Sequence, residues 1–230
     1  MEVFYHGTCR LFDTFDPSRL GSGEGKLKFG HGIYITSSYT TAARYASKAA
    51  KKNGVDTVYV YTVEVPELTE NNYILSSLPI NPNVAVAIEK ALGEDIPQEA
   101  KDQGKLFRKY LGNFLTGNRG SVKQMMDKAD AAAEDAVSTF LNDHGIASPV
   151  WPKAQMAPEK LISKIHEVGL GGIETNRAVL NAGCIKILKI EQVQTDDKNN
   201  QHSQNQRRAA HYTVVAGIRG TDGHSLRHIV

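Results

Sequence analysis

The chain is poor in the residues that build metal clusters and disulfide frameworks. It holds two cysteines, Cys9 and Cys184, in 230 residues. They sit at opposite ends, at no metal-ligand spacing, which predicts two reduced, mostly buried thiols. No apolar run nears the roughly 20 residues of a membrane span. The opening residues MEVFYHGT match neither a signal peptide nor an amphipathic transit segment. The expected setting is therefore soluble and cytoplasmic, with no membrane partner. Charge of one sign is not in excess either. The net is +2, so bulk electrostatics do not mark a nucleic-acid binder. Also missing are a GxxxxGK[ST] phosphate loop, a GxSxG elbow, HExxH and paired CxxC ligands. Their absence sets aside the enzymes built on those motifs, and no metal is expected.

What is present is ordinary for a globular chain: 40% hydrophobic and 23% charged residues, enough for one sizeable core or a core plus a subdomain. Residues 2–6 (EVFYH) alternate and predict a strand that Gly7-Thr8 ends or kinks. A polar connection, Arg10 to Lys28, follows, with Phe12 and Phe15 as anchors. It contains the glycine-rich run Leu20 to Lys26 beside Arg19 and Lys28, a surface loop or a weak phosphate contact. The organising stretch is FGHGIYITSSYTTAARY, residues 29–45. It opens on Gly30 and Gly32, alternates through Ile33-Tyr34-Ile35, then turns Ala-rich and helical. The helix is predicted over Tyr39 to Lys52, capped by Thr40 or Ser38 and stopped by Asn53-Gly54. Residues 57–65 (TVYVYTVEV) are the clearest strand, and Pro66 ends it.

Residues 67–165 show no strong strand. Apolar residues recur there at helical spacing, in Val84 to Leu92, Phe107 to Leu115, Val122 to Ala129 and Ala133 to Leu141, predicting an insertion of four or five helices. Residues 143–152 read as an irregular return. Trp151 within it is either a packing anchor or a substrate contact. A short helix, Leu161 to Val168, precedes strands at 177–180 and 185–190, with a turn at Asn181-Ala182-Gly183. From Thr195 the chain is polar and low in complexity. Residues 198–230 carry Lys198, Arg207, Arg208, Arg219 and Arg227 against Asp222, and His202, His211, His224 and His228. This end is either a last strand (His211 to Ala216) or a docking tail for nucleic acid or an acidic partner.

Two tyrosines around a glycine-rich turn, beside Tyr5-His6-Gly7-Thr8, offer an aromatic slot with a polar anchor and little acid–base machinery. That suits chemistry in which a bound molecule supplies its own leaving group. FYHGT, the glycine-rich loop and GHGIYIT followed by a helix ending in Tyr45 resemble ADP-ribosyltransferases of the diphtheria-toxin and poly(ADP-ribose) polymerase type. The resemblance covers residues 1–65 and returns at about 170–190. The helical middle resembles insertions in toxin-like members of phage, plasmid and toxin–antitoxin origin.

The resemblance implies an α+β fold with a split antiparallel β-sheet core and a helical insertion at about 67–165. It places the transferase domain at 1–194 and a polar linker with a basic tail at 195–230. NAD+ would be the co-substrate. His6 would hydrogen-bond the nicotinamide-side ribose, the Gly7 backbone would grip the carboxamide, and Thr8 would help hold the adenosine side. Tyr34 and Tyr45 would sandwich the nicotinamide, and Gly32 would belong to the same pocket. At the third position the family usually has Glu. Here Asn176 aligns with it, and Glu174 lies two residues earlier on the same strand face. Asn cannot act as a general base, so transfer of a single ADP-ribose is expected rather than chain elongation. Glu174 is the candidate base if one exists. The expected role is a mono-ADP-ribosyltransferase toxin or effector. Its acceptor would be a macromolecule, RNA or DNA slightly before protein, and an antitoxin is a possible partner. The alternatives are an NAD+ glycohydrolase and a degenerate, non-catalytic binding protein.

Overall fold

Alternation of β-branched and aromatic residues at both ends of the chain builds one mixed sheet, and the helical periodicity between them builds a lobe beside it. The computed structural model describes residues 1–16, 30–195 and 212–219. In chain order the elements are β1 (Glu2–Thr8), β2 (Ile33–Thr36), α1 (Tyr39–Asn53), β3 (Val58–Val65), β4 (Tyr73–Leu75) and α2 (Pro82–Leu92). Then come α3 (Gln98–Lys101), α4 (Gly104–Leu115), α5 (Val122–Asp127), α6 (Ala131–Asp143), β5 (Ser148–Pro152) and α7 (Pro158–Val168). The chain closes with β6 (Thr175–Val179), β7 (Lys186–Thr195) and β8 (Tyr212–Arg219). The sheet order is β4-β5-β6-β2-β1-β3-β7-β8. All neighbours run antiparallel except β4 and β5.

The sheet is two half-sheets with a narrow join. β1 runs with β3 from Glu2↔Val65 to Thr8↔Tyr59. β2 runs with β6 from Ile33↔Val179 to Thr36↔Asn176. Between them β1 and β2 meet at one register pair, Tyr5↔Thr36. This is the split sheet that was expected. Past Tyr5 no further register pair joins the two strands, and the His6 ring reaches across to the Tyr34 carbonyl.

α1 covers one face of this join. Its buried side is Ala42, Ala43, Ala46 and Ala50, side chains small enough to bring the helix backbone onto the sheet. Gly7 is where the two meet: a Cβ there would overlap the carbonyl of Ala42. Gly54, in the left-handed region at φ 65°, closes the helix by donating to the carbonyls of Ala50 and Lys51. On the opposite face Phe4, Ile35, Tyr61, Val63, Val179 and Ile190 form a second core, with Phe12 and Phe15 packed against it. The helical lobe has a core of its own, centred on Ile74, Ile88, Phe107, Leu111, Val137 and Leu141.

One expectation is sharpened and two are corrected. β1 ends at Thr8, but Gly7 and Thr8 belong to its ladder to β3 rather than to a turn after it, because glycine here admits a helix. Residues 67–165 do contain strand. β4 and β5 pair with each other, and β5 lies against β6. Three residues in one, and two prolines without N–H groups in the other, hide both from a propensity reading. The cysteines are unpaired but only half-buried. The insertion holds five helices, α2 to α6. The last strand forms, on β7.

Candidate active site

The join between the half-sheets positions the residues that the sequence singled out. Alternation along β1 turns His6 to the face opposite α1, where its ring stands edge-on to Phe15 at 5.2 Å and to Tyr61 at 6.2 Å. Its Nδ1 lies 2.8 Å from the carbonyl oxygen of Tyr34, so the ring spans the gap between β1 and β2. A carbonyl only accepts. Nδ1 therefore carries the proton, and the neutral ring presents Nε2 as an acceptor. Burial holds the imidazole pKa below its ordinary 6.5, with the bond to Tyr34 opposing. Tyr61 fixes the aromatic wall around it. Its hydroxyl accepts from the Phe12 amide at 2.7 Å and donates to the Phe12 carbonyl at 3.0 Å, and burial pushes its pKa up to about 12. Thr8 accepts from the Arg10 amide at 3.2 Å.

The other wall carries Tyr34 and Asn176. Cross-strand pairing sets Thr36 beside Asn176, and Asn176 beside Trp151, so all three share the α1 face with Tyr34. The ring of Tyr34 packs edge-on against Trp151, centroids 5.6 Å apart, and its hydroxyl donates to the Gly30 carbonyl at 2.9 Å. Tyr45, on α1, is 46% exposed, with the Arg44 guanidinium 5.7 Å from its ring centre. The two tyrosines make no ring contact with each other. Gly32 enters β2 tightly, a Cβ there standing 2.8 Å from the Val179 carbonyl oxygen.

The two contenders for the third position differ sharply. Asn176 is 7% exposed, and its buried Oδ1 has no hydrogen-bond partner among the described residues. A buried amide oxygen left unpaired is costly, and a ligand hydroxyl would satisfy it. Glu174 points outward, its side chain 61% exposed. Both of its oxygens accept from Lys153 Nζ, at 2.9 and 3.1 Å. Lys153 also donates to Ser38 Oγ at 3.1 Å, at the start of α1. The Ser38 side chain makes no capping bond to the helix.

The helical lobe grips the glycine turn ahead of β2. The His31 amide donates to Ser138 Oγ at 2.9 Å, and His31 Nδ1 lies 2.6 Å from Asp135. Gly30 adopts φ 111°, a region that favours glycine. A Cβ there would stand 2.8 Å from the guanidinium of Arg108. Arg108 is 2% exposed and donates to Glu134. Burial pushes Arg108 below its ordinary pKa and the Glu134 carboxyl above its own, and their contact opposes both. Sequence reasoning missed Arg108, Glu134, Ser138 and Lys153. The signal for the first three was polarity inside apolar stripes. Arg108 lies between Phe107 and Leu111, and Glu134 and Ser138 recur with Leu141 at i, i+4 and i+7.

The glycine-rich loop, Arg19, Lys26 and Lys28, and the tail residues Lys198, His202, Arg207, Arg208, His211, Asp222, His224, Arg227 and His228 lie outside the described residues. So do the side chains of Tyr212 and Arg219. Among the described residues no three His, Cys, Asp or Glu side chains gather as a metal site, and no helix is long and apolar enough to cross a membrane.

A family model described as ADP-ribosyltransferase in polyvalent proteins matches residues 1–215. No curated protein and no solved structure matches significantly. The match spans both half-sheets, the helical lobe between them and the start of β8. The chain therefore belongs to the ADP-ribosyltransferases.

Proposed function

We propose that the protein is a toxin-type effector that transfers a single ADP-ribose from NAD+ to a nucleic acid. The bond between the nicotinamide nitrogen and ribose C1′ breaks, the electron pair leaves with nicotinamide, and an acceptor atom bonds to C1′. His6 Nε2 accepts from a ribose hydroxyl, its tautomer fixed by the Tyr34 carbonyl. The Gly7 backbone, with Thr8 and Gly32 nearby, lines the slot, and Tyr34 and Tyr45 flank the nicotinamide ring. Asn176, rather than Glu174, is the third site residue. Its unpaired amide supports this reading, as does the engagement of Glu174 by Lys153. Without a general base there, the protein contributes orientation and shielding from water, which suits one transfer and not chain growth.

For the acceptor, the observation that carries the reading is the outer side of α1. Arg44, Lys48, Lys51 and Lys52 are exposed on it, and the helix has no acidic residue. Four cations exceed the whole chain's net charge of +2, and Tyr45 shares this surface. A basic stripe running from the slot fits a phosphate backbone.

The test uses labelled NAD+ with a cell lysate, followed by separate protease, RNase and DNase treatments. Release of label by a nuclease is expected. Release by protease alone moves the acceptor to protein, and free ADP-ribose without any labelled acceptor makes the enzyme a glycohydrolase. Replacing Arg44 and Lys48 by Glu should lower acceptor labelling and flatten its salt dependence, while NAD+ binding is retained. Growth arrest on induced expression, relieved by His6→Ala, tests the toxin role.

A further inference from the structure

We propose that Arg108 is a positioning residue that sets the Tyr34 ring from within the helical lobe, acting through Gly30. The proposal rests on the NAD+ slot described above. The chain of contacts is short. Arg108 on α4 donates to Glu134 on α6, and its guanidinium lies against Gly30. The Gly30 carbonyl accepts from the Tyr34 hydroxyl at 2.9 Å. Tyr34 then meets Trp151 on one side and, through its own carbonyl, His6 on the other. One buried guanidinium thus stands two contacts away from Tyr34 and three from His6.

The pair is poorly explained as a stabiliser. Removing two charges from water costs more than most buried ion pairs return, and apolar replacements of similar volume are often neutral or better. Arg108 Nε is also buried without a partner among the described residues, a further cost. What the pair supplies is a flat, fixed surface, since the guanidinium is planar and Glu134 holds it in register. Only a glycine can lie that close at φ 111°. Ser138, one turn along α6 from Glu134, pins the next residue through the His31 amide. The same helix face therefore fixes two consecutive residues of the turn.

The test uses the full chain and its one tryptophan, which touches Tyr34 and reports on it without any ligand. The variants are the double change Arg108→Met with Glu134→Met, Tyr34→Phe, and all three together. The double variant should keep its far-UV circular dichroism but change the Trp151 emission. Its kcat for NAD+ turnover should fall about tenfold with KM within about threefold, as for lost orientation rather than lost binding. Added to Tyr34→Phe, it should cost little more, because that change already cuts the same chain of contacts. An unchanged Trp151 signal, or losses that multiply, would overturn the proposal. If the double variant does not fold, Ser138→Ala takes its place in the same cycle. Losses that fail to multiply with those of Tyr34→Phe support the brace, and multiplied losses sink it. A wild-type chain that never turns over NAD+ removes the slot itself. That result is told apart from failure of the brace by the Trp151 signal, which needs no NAD+.

Discussion

The two walls of the join are built by different means. The His6 wall is made by a long, regular ladder. β1 is paired along its whole length with β3, and the histidine is hydrogen-bonded and ringed by Phe12, Phe15 and Tyr61. The Tyr34–Asn176 wall stands on a four-residue strand and a five-residue strand. It takes its rigidity from Arg108, Glu134 and Ser138 in the lobe, and it leaves the Asn176 amide oxygen unpaired. The first wall is satisfied before any ligand arrives. The second is held from outside and leaves one buried polar group unmatched among the described residues.

The comparison can be broken most severely at the two side chains proposed to contact NAD+. His6→Ala and Tyr34→Ala should each lower NAD+ turnover by about a hundredfold or more, with circular dichroism unchanged. Full activity in both would dissolve the site. Next in size is Gly7→Ala, which drives a methyl into the Ala42 carbonyl. Overpacking of this kind costs about 1–3 kcal/mol, seen as a lowered thermal midpoint. An unshifted midpoint would mean that α1 sits less firmly on the first wall than described.

Asn176→Ala separates the walls by sign. Removing a buried, unpaired amide oxygen relieves desolvation, so stability should hold or rise by about 1 kcal/mol, while NAD+ turnover falls roughly tenfold. A large loss of stability would show that Asn176 serves the core. Acid separates them too. His6 is held below its ordinary pKa by burial. The unfolded chain therefore binds its proton first as pH falls. The contribution to stability is complete above 6.5 and is lost as pH drops from there through the folded value. Turnover should fall in acid with a midpoint below 6.5, as Nε2 gains a proton and ceases to accept. The smallest effect is expected at Glu174→Gln. An exposed ion pair contributes under about 1 kcal/mol, and turnover should stay near wild type. A hundredfold fall would return Glu174 to the role of base.

The first wall was almost wholly legible in the sequence. EVFYHGT and TVYVYTVEV alternate, and local pattern suffices for strands whose two faces differ. GHGIYIT with the Ala-rich helix also read correctly, since each residue's neighbours lie close in the chain. The second wall was half legible. Asn176 and Glu174 were named by position, but that one is buried and the other engaged by Lys153 is announced by no local pattern. β5 was hidden by Pro149 and Pro152. The brace was hidden by distance: Gly30 and Arg108 meet across 78 residues, and helical periodicity marks a stripe as buried without saying what it faces.

The glycine turn therefore depends on chain that emerges well after it. β1 precedes the other described elements, yet beyond one register pair with β1 the ladder of β2 is made with β6, and Glu2 is clasped in two places by Arg177, at 2.7 and 3.0 Å. On a ribosome, a nascent chain carrying the whole HGT and GHGIY signature would still lack the helix that fixes its turn and the strand that holds Asn176. Contacts of such long range close late in folding. The join is thus closed only after α4 and β6 have emerged, and its activity would wait for both.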